Sequence, residues 1–283
     1  MQEPALNECT NCGQLFTGTY CNTCGQKVFS EEDKSIKKIW QEVVHFATHF
    51  ESGFVYSMKT IFFKPGKMTL DYCSGVRKKY YSPVSLFMLM MFLYLIYPIA
   101  QGLNMPMETY KYSNSLGMTQ SDVDAQIRRK AMQLNISEQE LAERYAAKSE
   151  KISKFLILML IPLTLLVLFL LSLRTKRRVY DLVILSAEIN VFVIATYFII
   201  MPLVLLLIAR VIGLQAINPD SHPVGLLLML TAFCAYVFVI FKRYYRLPWP
   251  VNLMRTAVFV FFYITLVHGV YRISIFELVM ILL

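Results

Sequence analysis

The strongest limit on what this chain can fold into is its long apolar runs, clearest at Phe155–Leu173, nineteen residues without a charge. A hydrocarbon layer about 30 Å thick takes roughly 20 residues of α-helix to cross. Inside it every peptide group must be hydrogen-bonded within a helix or a closed barrel. We read five spans, at about 84–103, 155–173, 182–209, 224–241 and 253–270. Hydrophobic residues make up 56% of the chain and its mean hydropathy is +0.49, which argues against a soluble protein. The expected fold class is therefore all-α, a polytopic helical membrane bundle of about five transmembrane helices carrying a small N-terminal head. Pro162 predicts a kink in the second span, and Pro202 a break or tilt in the overlong third. The apolar tail Ile273–Leu283 is only eleven residues, too short to cross at about 1.5 Å per residue. It reads as an interfacial helix, a re-entrant helix or an extension of the fifth span.

A net charge of +9 could point to nucleic acid, but the basic residues stand beside the apolar runs, where they set topology and meet lipid. Nucleic acid is therefore not an expected partner; membrane lipids are. Arg77–Lys79, Arg174–Arg178 and Lys242–Arg246 all fall on one side of a five-span arrangement, and the short third-to-fourth connection carries only Arg210. Positive residues favour the cytoplasmic side, so the N-terminus is expected there and the C-terminus outside. Met1–Asn7 holds Glu3 and Pro4 and has no apolar core, so no cleavable signal peptide is expected. The segment 101–154 then lies outside, with helices predicted at about 120–133 and 138–154. Ser137 with Glu140 makes a capping-box signature between them. Their mixed charges suit a solvated helical hairpin.

Two C-x-x-C-G knuckles open the chain, Cys9-Thr-Asn-Cys12-Gly13 and Cys21-Asn-Thr-Cys24-Gly25. Zinc takes four ligands in a tetrahedron and accepts thiolates at about 2.3 Å. The glycine after each second cysteine permits a turn with positive φ. Cys9, Cys12, Cys21 and Cys24 are thus the candidate ligands of a structural Zn2+ in a ribbon spanning 1–28. A segment this short buries almost no core, so the metal supplies its folding energy. Redox-active dithiols or a disulfide are the competing reading. A disulfide needs an oxidising compartment, which the expected topology withholds.

Between ribbon and bundle, 29–83 reads as an interfacial amphipathic helix and a basic-aromatic linker. Ile36, Trp40, Val43, Ala47, Phe50 and Phe54 recur at helical spacing on one face. His45 and His49 lie one turn apart after Glu42, a weak second metal candidate against the commoner solvated face. Lys64-Pro65-Gly66 ends that helix in a turn. Arg77, Lys78, Lys79 and Tyr80 precede the first span as an interface anchor, and are the candidates for lipid or anion contact.

The ribbon, the F-x-x-G-F sequence (Phe50, Gly53, Phe54), the K-P-G turn and the G-x-R-K-x-Y-x-x-P run (Gly75, Arg77, Lys78, Tyr80, Pro83) together resemble one family. It is an uncharacterised bacterial family of zinc-ribbon integral membrane proteins, known by a domain-of-unknown-function label. The resemblance covers about the first 100 residues. It implies a cytoplasmic ribbon and an inner-membrane bundle, and no activity.

Within the spans, Glu188 and Asn190 are the candidate intramembrane polar site. A charge at a helix centre costs about 2.5–3.5 kcal/mol on insertion scales, so it faces protein or water. Glu188 is either a proton carrier or a group near the cytoplasmic end that snorkels or pairs with a basic residue such as Arg177 or Arg178. No nucleophile elbow, phosphate-binding glycine loop or zincin helix is present, so no catalytic residue is assigned. The expected role is non-enzymatic, with the ribbon docking a cytoplasmic protein partner as an adaptor, regulator or assembly factor. The alternative is a small-molecule or ion permease using Glu188.

Overall fold

The computed structural model describes residues 6–29, 31–36, 53–96, 105–112, 120–175, 177–201, 203–204, 207, 210 and 223–283. The amphipathic helix expected around Trp40, with His45 and His49, lies outside the described residues, as does Pro202.

The head is a two-stranded antiparallel sheet, β1 (Leu6–Glu8) with β2 (Leu15–Thr17), in which Leu6 faces Thr17 and Glu8 faces Leu15. After a short turn of 3-10 helix at Glu31–Lys34 come α1 (Phe54–Phe63) and α2 (Lys67–Cys73), hinged at the K-P-G turn. Next are α3 (Pro83–Ile96), α4 (Met107–Tyr112), α5 (Gln120–Leu134) and α6 (Glu138–Leu156). A short 3-10 stretch at Ile157–Met159 continues α6 into α7 (Leu160–Ser172). Then follow α8 (Val179–Val193), which widens into a π-helical stretch at Ile194–Ile200, and α9 (Pro223–Tyr245). Last come α10 (Trp249–Thr265), a second π-helical stretch at Leu266–Tyr271, and α11 (Arg272–Leu282).

Among the described residues, four helices are long and apolar enough to cross a membrane: Glu138–Ser172, Val179–Tyr197, Leu227–Tyr245 and Trp249–Leu282. The expected first span is seen as α3, a mostly apolar helix of fourteen residues; the 97–104 continuation is not described. Every position from Leu182 to Ala195 is buried, which makes α8 the central post. A helix apolar all round belongs inside a bundle, and α8 packs against α2, α3 and α7. The outward faces of α7 and α10 expose Phe169, Leu170, Leu253, Met254 and Phe261, which suits contact with lipid chains.

At the end away from the sheet the structure is longer than the spans alone. The hairpin cap forms as the sequence suggests, with the Ser137 hydroxyl accepting the Glu140 N–H at 3.1 Å. However, α6 does not stop near 154, because its apolar face continues into α7 as one 35-residue rod. Of the three readings of the tail, extension of the fifth span is the one observed: Trp249–Leu282 is 34 residues. At 1.5 Å per residue such a rod is about 50 Å long, so part of it must project beyond the hydrocarbon. A second core explains why. Tyr271, Ile275, Phe276, Val279 and Met280 pack against Val123, Ile127, Leu141 and Tyr145 of the hairpin. The Tyr271 hydroxyl donates to the Ser153 carbonyl at 2.6 Å, and the Gln126 amide to Glu277 at 2.9 Å.

Candidate metal centre and its seat on the bundle

The two knuckles share one geometry. Gly13 N–H donates to the Cys9 carbonyl and Gly25 N–H to the Cys21 carbonyl, both at 2.8 Å. Both glycines have positive φ, 74° and 69°, where a side chain would be strained. The four sulfurs lie within 4.8 Å of one another, with Cys9–Cys24 at 3.5 Å and Cys12–Cys21 at 3.6 Å. Metal–sulfur bonds of about 2.3 Å in a tetrahedron give edges near 3.8 Å, so the set fits a four-thiolate ion. All the cysteines are free thiols, and the contacts are far too long for disulfides.

The electrostatics also call for a cation. The Asn11 side chain, by hydrogen bonding, brings the Cys24 thiol down to about 6. The Cys24 amide lowers Cys21. Cys12 goes the other way: although the Gln14 amide favours its thiolate, desolvation and the three neighbouring sulfurs push it up to about 12. Four sulfurs this close cannot all carry charge without a metal between them. All four positions would then be filled by protein, leaving none for a reacting ligand.

The ribbon is seated on the 75–80 segment. Gln26, buried, accepts the Arg77 and Lys78 backbone N–H groups at 3.2 and 2.8 Å. The Thr10 hydroxyl donates to the Gly75 carbonyl at 3.4 Å. Gly75, at φ 99°, must be glycine for a second reason: a Cβ would sit 2.8 Å from Phe29 Cβ. Arg77 rivets three elements together. Its guanidinium lies over Phe29 (4.3 Å) and Tyr72 (4.7 Å) and donates to the Asp33 carbonyl at 3.3 Å and the Tyr180 hydroxyl at 2.6 Å.

The other expected lipid contacts are mostly engaged with protein. Lys79 pairs with Asp71 at 3.1 Å, and the Tyr80 hydroxyl donates to Asp71 at 2.7 Å. Burial opposes charge on Asp71, but Tyr80, Lys79 and Lys67 outweigh it and hold its carboxyl below the ordinary carboxylate value. Lys78 is the one side chain of the four that is exposed.

Glu188, completely buried, has both oxygens occupied. One accepts Gly66 N–H at 2.7 Å; the other accepts Thr69 N–H at 2.8 Å and the Thr69 hydroxyl at 2.5 Å. A helix leaves its first N–H groups unpaired, and a carboxylate at that end also meets the positive pole of the helix dipole. Glu188 therefore caps α2 from the central post, a pairing different from the expected Arg177 or Arg178. Arg177 instead donates to the Tyr244 carbonyl at 2.9 Å. Arg243 donates to the Pro65 carbonyl, so the K-P-G turn is held from two sides. Gly66→Ala should cost about 1–3 kcal/mol, since Gly66 has φ 76° and an added Cβ would lie 3.3 Å from Ile240 Cα. A lowered thermal midpoint in detergent would show it.

Asn190 is fully buried and ties its own helix α8 to two others, α7 and α10. Its amide nitrogen donates to the Thr164 hydroxyl at 2.9 Å and the Ser186 carbonyl at 2.8 Å, and its oxygen accepts from Tyr263 at 3.2 Å. Glu188 and Asn190 thus share a helix but serve separate joints.

Residues 51–95 match the model of a family described as protein of unknown function (DUF3667). No curated protein and no solved structure matches the chain. The DUF3667 segment contains α1, the K-P-G turn, α2, the 75–80 seat and most of α3. What grips it lies outside: Gln26 from the ribbon, Glu188 from α8 and Arg243 from α9.

Three contributors escaped the sequence reading. Gln26 and Asp71 carry no motif, and only the fold brings them to their partners. Arg255 was visible as a lone charge inside the apolar run Trp249–Val270.

Proposed function

We propose that this is a non-enzymatic protein of the bacterial inner membrane whose zinc ribbon, on the cytoplasmic side, docks a partner protein in an adaptor, regulatory or assembly role. Zinc is favoured over other metals by the closed set of four thiolates. Cytoplasmic orientation is favoured because Arg77, Arg177 and Arg243, one from each basic run, meet at the ribbon's end of the bundle, bonded to Tyr180, Tyr244 and Pro65.

The observation that carries the docking role is the ribbon's outward strand face. Phe16 turns inward and is 6% exposed, whereas Leu6 and Leu15, on the opposite face, are 67% and 58% exposed. Tyr20 is exposed as well. A head fixed through its inner side, and showing Leu6 and Leu15 beside Thr17 and Glu8 on its outer side, suits a protein contact. The permease alternative draws less support, because both Glu188 oxygens already accept hydrogen bonds.

The test is crosslinking of the full chain in native membranes, comparing wild type with Leu6→Ser/Leu15→Ser and with Glu188→Gln. Loss of a specific crosslinked partner in the double variant, with the metal still bound, is the expected result. An unchanged crosslink pattern would sink the docking role. Proton-coupled flux that disappears in Glu188→Gln would move the assignment to a permease.

A further inference from the structure

We propose that the ribbon end of the fifth span binds the phosphate headgroup of an acidic phospholipid, through Arg255, Thr256 and Asn252. Arg255 stands inside the apolar helix Trp249–Leu282, about 9 Å along the axis from Trp249. A charged side chain there needs a partner. Its guanidinium lies 4.3 Å from the centre of the Tyr245 ring, but its Nη1 atom is buried without a hydrogen bond. Among the described residues no carboxylate forms an ion pair with it.

Two neighbours on the same helical face share this condition. Asn252 is 0% exposed; its amide nitrogen donates to the Phe238 carbonyl at 3.0 Å, which leaves its oxygen, buried, unpaired. Thr256 is 4% exposed and its hydroxyl oxygen is unpaired too. Buried polar atoms almost always find partners, as those of Glu188 and Asn190 do; the unpaired hydroxyls of Tyr145, Thr196 and Tyr236 lie on separate helical segments, whereas these three share one face. Three unpaired polar atoms at positions i, i+3 and i+4 therefore mark a place for something else.

The chemistry of the set narrows the occupant. Arg255 and the Thr256 hydroxyl can donate to anionic oxygens, while the Asn252 oxygen needs a donor. A phosphodiester bearing a hydroxyl, as in a phosphatidylglycerol headgroup, offers both, and it balances the arginine's charge as water cannot. Location agrees with a lipid. Arg174, Lys242 and Arg246, all exposed, lie at this end, and Trp249, Val251, Leu253 and Met254 are exposed on the same helix, placed to meet the interface and acyl chains.

The test uses the full chain in lipid nanodiscs and native mass spectrometry, counting phosphatidylglycerol retained against a phosphatidylcholine background. Wild type should keep one tightly held phosphatidylglycerol. Arg255→Gln should weaken it about tenfold or more, as loss of a charge-assisted hydrogen bond implies. Thr256→Val, close to isosteric, should weaken it less, and it preserves the test if Arg255→Gln does not fold. Arg174→Gln and Arg246→Gln should leave the tight lipid in place, separating the site from the general basic surface. Equal retention in wild type, Arg255→Gln and Thr256→Val would overturn the proposal. So would Arg255-dependent binding of inorganic phosphate in pure phosphatidylcholine discs that displaces the lipid preference, since the anion would then be a soluble one.

Discussion

Glu188→Leu should lower the stability of the bundle by about 3–5 kcal/mol, the range for removing one partner of a buried charged contact. The substitution leaves the Gly66 amide and the Thr69 amide and hydroxyl without an acceptor in a place water does not reach. Glu188→Gln keeps one oxygen and should lose less, about 1–3 kcal/mol. Two readouts follow the change, the thermal midpoint and alkylation of Cys73 at the end of α2. In the native protein burial, and then Asp181, push the Cys73 thiol well up, so it reacts slowly. Release of α2 from its cap should speed that labelling in Glu188→Leu. Unchanged stability and unchanged Cys73 reactivity would mean that Glu188 does not hold α2.

Cys21→Ser should strip the metal from the ribbon and open it while the helices stay folded. Structural zinc contributes about 10–16 kcal/mol to small thiolate sites, far more than this head could replace. Among the described residues its own buried apolar cluster is Cys9, Phe16 and Cys21, and two of those are candidate ligands. Among the described residues the main core of the bundle includes none from the ribbon, so its thermal transition should change little. Metal content of the purified full chain, followed with proteolysis of residues 6–29, measures both halves of this expectation. A Cys21→Ser protein that keeps its metal and its resistance to protease would contradict it.

The features legible in the sequence are those whose cause is local. Four thiolates must sit on two short turns to meet one ion, so the C-x-x-C-G spacing announces the cluster directly. Apolar runs such as Phe155–Leu173 announce buried or lipid-facing helices for the same reason. The illegible part is the joinery. Glu188 lies 122 residues from Gly66, and spacing along the chain says nothing about a cap supplied by another helix. Arg77, Lys79 and Tyr80 have the composition of a headgroup anchor, yet Tyr180 and Asp71 receive them. The tail 273–283 had three readings until the hairpin face carrying Val123, Ile127 and Tyr145 supplied its packing partner. Arg255 differs from these: the charge was plain in the sequence, and only its want of a partner required the fold.

The central claim is that a metal-folded ribbon is clamped onto the DUF3667 segment through Gln26. Amide hydrogen exchange on the full chain, metal-loaded and after chelation, tests it most directly. Loss of metal should free the Arg77 and Lys78 amides together with those of the ribbon, while the amides of α8 remain protected. Arg77 and Lys78 amides that stay protected after the metal has gone would show that the ribbon does not form the clamp.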